Sequence, residues 1–138
     1  PEKALEAIVE MVRQKGFLLC SEGEDGLAEK GVLVRHLILP GNVENSLKAM
    51  TCLFLEFGKN LPLSIMSQYH PVEAHEDLNF NRKIWEKEFE VVYAHALGLG
   101  FRNLFVQFPR KNRHGTTEER ASSFLPDFRE KKPFGEKA

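Results

Sequence analysis

The sequence predicts an α/β protein in which parallel strands are joined through helices. Three observations carry that expectation. Apolar residues recur either at helical spacing or in short unbroken runs, and the two patterns alternate as helix, strand, helix, strand, helix, strand. The runs are separated by helix-sized segments, not by two-residue hairpin turns. Strands connected in this way lie parallel, through right-handed crossovers.

Pro1 suits the first turn of a helix, and Leu5, Ile8, Val9 and Val12 then share one helical face up to Gly16. Residues 17–30, FLLCSEGEDGLAEK, begin with an apolar piece, but the glycines and acids that follow predict a loop. Residues 32–39 are a β-branched and leucine run closed by Pro40 and Gly41, the pattern of a strand covered on both faces. Asn42 is placed to cap a helix with the stripe Leu47, Met50, Leu53, Phe54 and Phe57, stopped by Gly58. A second strand is expected near 62–69. Trp85, Phe89, Val92 and Ala96 mark a third helix ending at the glycines 98 and 100, and residues 102–108 a third strand.

The 138 residues, 42% hydrophobic and 28% charged with a net charge of -1, suit one soluble domain with a core of its own. Near-neutral charge gives no footprint for nucleic acid or for an anionic membrane, and no apolar run is long enough to span one. Neither partner is expected, and the cytoplasm is the expected location. The chain opens directly on a helix, as if cut from something longer. Cys20 and Cys52 form no CxxC or CxxxCxxC pattern and are expected to be thiols filling space.

The run GVLVRHLILPG raises a question, because Arg35 and His36 interrupt an apolar strand, and a buried charge demands a partner. Alternation places Val32, Val34, His36 and Ile38 on one face and Leu33, Arg35, Leu37 and Leu39 on the other. In the second strand Ser64, Met66, Gln68 and His70 share a face, and in the third Asn103, Phe105 and Gln107 do. If the more apolar faces meet the helices, Arg35, Ser64, Gln68, His70, Asn103 and Gln107 gather on the opposite side. Gln68 and His70 fall at the carboxyl end of their strand, where open α/β sheets and barrels hold ligands. Arg35 then faces a ligand or closes a structural salt bridge, and His70 is a ligand group or a hydrogen-bonded surface residue. His36 heads for the helix layer, where a neutral imidazole bonded to a carbonyl suffices. His75 and His95 fit loop and helix-surface positions, and Glu86, Glu88 and Glu90 the wet side of the third helix. The RKNRH run at 110–114 reads as a solvated charged loop. No GxGxxG, GxxxxGK[ST], GxSxG or HExxH is present, so no self-contained catalytic set is predicted.

The segments VRHLILPGNVENS, LPLSIMSQYHPV and YAHALGLGFRNLFVQF, at this strand-helix-strand spacing, resemble the C-terminal half of radical S-adenosylmethionine proteins of the pyruvate formate-lyase activating enzyme-like family. The resemblance covers residues 1–108, reaches toward LPDF at 125–128, and leaves 109–138 as an irregular C-terminal extension. It implies the last three strands, about half, of a partial (β/α)6 TIM-like barrel. It also implies S-adenosylmethionine and a 4Fe-4S cluster in the full-length parent, whose reductive cleavage of the sulfonium gives a 5′-deoxyadenosyl radical. The CxxxCxxC motif of the family and the glycine-rich segment after it are not in this chain, which implies a fragment inactive alone, with no cofactor bound and no metal ligands of its own. Its first partner would be the N-terminal half of the barrel, and the parent's substrate a protein or a small molecule. Arg35 in RHLILPG matches an arginine that the family turns toward S-adenosylmethionine, and Tyr69-His70 matches a pair whose histidine lies against the cofactor. Arg35, Gln68 and His70 are therefore the expected cofactor-facing residues. Alternatively, the chain is a self-contained small α/β binding or interaction module without redox chemistry, or a phosphate-binding half barrel using RKNRH. An inner face opened to water, with Leu33, Leu37, Leu39, Met66 and Phe105, is expected to self-associate or to be covered by the C-terminal extension.

Overall fold

The computed structural model describes residues 2–21 and 26–109. The expected C-terminal extension, the RKNRH run and the LPDF stretch lie outside the described residues, Pro109 apart. Helix α1, Glu2–Lys15, ends where Gly16 donates its N–H to the Val12 carbonyl at 2.8 Å. Its stripe is only half-buried, with Leu5 and Ile8 resting on the core.

The segment expected to be a loop holds an antiparallel pair, β1 (Leu19–Cys20) with β2 (Ala28–Lys30). Every residue of both strands is exposed, so no alternation of apolar and polar side chains announces them. Local bonds hold the pair. Ser21 donates its N–H to the Leu27 carbonyl at 2.8 Å, and its hydroxyl accepts the Leu27 N–H at 3.1 Å. Gly31 then turns the chain at φ +105°, and a Cβ there would overlap the Phe17 backbone. That close approach lets Val32 make a single parallel bridge to Phe17.

Strands β3 (Val34–Leu37), β4 (Leu63–Met66) and β5 (Leu104–Gln107) form a parallel sheet in the order β3-β4-β5. The parallel direction agrees with the sequence. Each strand is shorter than its apolar run. The β3 ladder closes with Ile38 donating to the Met66 carbonyl at 3.1 Å, and Pro40, which has no N–H, sits two residues beyond. Arg35, Ser64 and Phe105 are in register across the sheet, and so are Leu37, Met66 and Gln107.

Helices α2 (Val43–Phe57) and α3 (Glu86–Leu99) pack on each other and on the side of the sheet that carries Leu63 and Ile65. Ile38, Met50, Leu61, Leu63, Ile65, Phe89 and Val92 are fully enclosed between these layers. Asn42, expected as a side-chain cap, instead turns its amide back to the Pro40 carbonyl at 3.2 Å, and only its backbone carbonyl starts α2. At the far end of α3, Gly100 takes the left-handed conformation at φ +97°, a common helix stop. None of the described helices is long and apolar enough to cross a membrane. Both cysteines are exposed, which corrects the expectation that they fill space in the interior.

Candidate functional site on the helix-free face of the sheet

Strand geometry divides the two ionisable groups of β3. His36 points into the helix layer, where its Nε2 lies 3.0 Å from the hydroxyl of Ser46 on α2. Ser46 is only 3% exposed, so this pair satisfies two polar groups inside the core. Burial pushes the His36 pKa below its ordinary value and keeps the imidazole neutral. The neutral state agrees with the sequence reading, but the partner is a hydroxyl and not a carbonyl.

Arg35 points the other way, onto the face that no described helix covers, and is exposed. Its Nη2 lies 2.9 Å from the Sδ of Met66, the neighbour one strand over. Gln68, just past the end of β4, brings its Nε2 to 3.7 Å from the same sulfur. Ser64 stands beside Arg35 by register, and Phe105, 46% exposed, stands beyond it. A thioether is a weak acceptor and carries no charge, and Arg35 forms no ion pair among the described residues. The result is a cation set in a partly apolar surface, with an amide and a hydroxyl at hand. Such a group can accept a carboxylate or a phosphate-like oxygen pair through its remaining N–H donors.

The other residues grouped by alternation do not all arrive there. The β4 ladder stops at Met66, so strand alternation does not extend to His70, which is half-buried and makes no hydrogen bond to a described residue. Its neighbour Tyr69 anchors the loop by donating to the Phe80 carbonyl at 2.9 Å. Asn103 sits before β5 and donates to the Asn60 carbonyl at 2.8 Å, at the amino end of the sheet and away from Gln68. Gln107 remains in register with Met66, and its carbonyl accepts from the Ser67 hydroxyl at 2.8 Å. His95 is no free surface group, because its Nε2 lies 2.9 Å from the Thr51 hydroxyl of α2.

A second polar cluster fastens the loops at the carboxyl end of the sheet. Glu88 was expected on the wet side of its helix, yet its side chain is only 11% exposed. It accepts the Gly41 N–H at 2.7 Å, the Trp85 N–H at 2.8 Å and two Arg82 donors at 2.8 and 2.9 Å. The Arg82 guanidinium and the two backbone donors hold its carboxyl down at about 2. Arg82 also stacks 3.8 Å over the Trp85 ring. One carboxylate thus ties the turn after β3, the loop after β4 and the start of α3 together. A glutamate three positions after residue 85, at the third position from a helix start, is the sequence signal that marks it.

Among the described residues no group of three His, Cys, Asp or Glu side chains is placed to hold a metal ion. Comparison of the chain with family models, with curated proteins and with solved structures finds no match.

Proposed function

We infer that the chain is the C-terminal half of a radical S-adenosylmethionine enzyme of the pyruvate formate-lyase activating enzyme-like class, contributing three strands to a partial (β/α)6 TIM-like barrel. The observation that carries this reading is the convergence of Arg35 and Gln68 on Met66, on the helix-free face of a parallel sheet. A barrel built from such units puts that face toward the lumen and its ligand at the carboxyl ends of the strands. Arg35 suits the methionine carboxylate of S-adenosylmethionine through paired N–H donors, Gln68 offers an amide at the same rim, and His70 follows two residues later in the chain. Cys20 and Cys52 are not arranged as cluster ligands, so the ligands of a 4Fe-4S cluster belong to the partner half of the barrel. That cluster supplies the electron for cleavage of the sulfonium. The residues of this chain bind and orient the cofactor, and a protein or small-molecule substrate enters from the same rim. Two unpaired, exposed thiols suit a reducing compartment such as the cytoplasm.

The test begins with the parent gene, which is expected to encode CxxxCxxC upstream of Pro1. Anaerobic reconstitution of the full-length protein with iron and sulfide, followed by reduction with S-adenosylmethionine, is expected to release 5′-deoxyadenosine. In that protein Arg35→Ala should weaken S-adenosylmethionine binding by roughly ten- to a hundredfold, the loss of one charge-assisted hydrogen-bonded contact. A parent without the motif, or a reconstituted protein that produces no deoxyadenosine, overturns the reading.

A further inference from the structure

Arg35 and Gln68 both aim N–H donors at a sulfur. The Nη2 of Arg35 lies 2.9 Å, and the Nε2 of Gln68 3.7 Å, from the Sδ of Met66. Elsewhere among the described residues such donors meet oxygen: Arg13 and Arg82 bind carboxylates, and the Asn103 amide binds the Asn60 carbonyl. A thioether is a weak acceptor, so two donors, one of them charged, gain little from it. One added oxygen changes that. A methionine sulfoxide carries a polar oxygen in place of a lone pair, and a bond to it from a charged donor is roughly twice as strong as a neutral one. The 3.7 Å gap to Gln68 leaves room for an oxygen on the sulfur, and the exposed Arg35 can draw back and keep its bond. Met66 is 9% exposed, an opening that suits a reagent as small as hydrogen peroxide. The other two methionines bracket it, with Met11 47% exposed on α1 and Met50 fully enclosed in the core.

We propose that Met66 is a site of reversible oxidation by hydroperoxides, with Arg35 and Gln68 as the seat of the sulfoxide oxygen. A sulfur lone pair attacks the near oxygen of hydrogen peroxide. The S–O bond forms as the O–O bond breaks, and the sulfur gives up two electrons to the peroxide. The departing oxygen takes the proton still held by the transferred one and leaves as water. The guanidinium beside the sulfur stabilises the negative charge on the departing oxygen and keeps its own proton. Methionine sulfoxide reductases return the thioether. Once formed, the sulfoxide engages the donors of Arg35 and competes with any anionic ligand of that side chain. The proposal does not rest on the radical-enzyme reading, since no cofactor enters its test.

In the experiment the complete 138-residue chain is treated with hydrogen peroxide, and oxygen uptake at Met11, Met50 and Met66 is followed by peptide mass spectrometry. Met66 is expected to oxidise at a rate comparable to Met11 despite its far smaller exposure, while Met50 stays reduced. In Arg35→Gln the rate at Met66 should fall about tenfold, the loss of one charge-assisted contact, with Met11 unchanged. Met66 as unreactive as Met50, or equal Met66 rates in R35Q and the unmodified chain, overturns the proposal. Stability reads the seat, in a Met11→Leu background that leaves Met66 as the reacting methionine. Oxidation is expected to shift the Tm by less than about 2 °C with Arg35 in place and to lower it by about 5 °C or more in R35Q. An equal fall in both chains overturns the seat. Should R35Q not fold, Gln68→Leu, beyond the end of β4, provides the same comparison of oxidised and reduced Tm with the same two outcomes.

Discussion

Two adjacent residues of β3 show how strand geometry assigns opposite roles to neighbours in sequence. His36 is half-buried, neutral and bonded to Ser46, whereas Arg35 is exposed beside a thioether. Because burial lowers the His36 pKa below 6.5, the unfolded chain takes up a proton that the folded one resists. Its contribution to stability is therefore complete above pH ~6.5 and is lost as the pH falls below that value. Thermal melts between pH 7.5 and 5 should show this decline, and a His36→Gln variant should flatten it. Ser46→Ala leaves the imidazole nitrogen unpartnered in the core and is expected to lower stability by about 1–3 kcal/mol in urea titration. Glu88 acts in a separate window. Its folded pKa lies near 2 against 4.5 for an unperturbed glutamate, so its contribution is full above pH ~4.5 and is lost as the pH drops toward 2. Glu88→Ala removes the acceptor of two backbone N–H groups and of Arg82, and is expected to be destabilising by about 2–3 kcal/mol at pH 7. The sequence offered Glu88 as a polar residue of an amphipathic helix and His36 as an ionisable group interrupting an apolar strand. Alternation sent His36 inward correctly, because β3 obeys its period of two. Helical spacing sent Glu88 outward wrongly, because Arg82 and Trp85 lie just before the helix begins and Gly41 reaches it from the turn after β3.

At the scale of elements, the helices were legible because each has a periodic apolar stripe and ends at glycine. Gly16, Gly58 and Gly100 all stop their helices, at the positions read from the sequence. Strand direction was legible as well, since helix-sized connections force parallel pairing. The pair β1 and β2 was not, because both strands are exposed on both faces and are held by turn bonds around Ser21. Gly31 is the joint between that pair and the main sheet. Gly31→Ala combines a left-handed backbone with overlap on the Phe17 main chain, and we expect a loss of more than about 2 kcal/mol. The same substitution at Gly16, where a Cβ would meet nothing within 4 Å, should be milder, near 1 kcal/mol. Comparing the two variants by chemical denaturation separates collision from backbone strain.

For the whole molecule, the helices and the core lie on one side of a three-stranded sheet whose central strand is β4. Pairing on both edges gives β4 the most protected backbone. Amide hydrogen exchange should be slowest at Leu63, Ser64, Ile65 and Met66, whereas in β3 only Val34, His36 and Ile38 should be slow and Arg35 and Leu37 fast. Fast exchange at alternate β4 amides would mean that one of the two pairings is absent in solution. By itself the sequence determined the types and chain order of the three helices and the three parallel strands, the parallel direction of the sheet and the opposed faces of Arg35 and His36, because these follow from local periodicity and connection length. Only the tertiary structure decided where the strands end, which side chains meet on Met66, that Asn103 stays at the amino end, and that Glu88 reaches the Gly41 turn after β3. Those outcomes depend on distances between residues remote in the chain, which packing sets and no local pattern encodes.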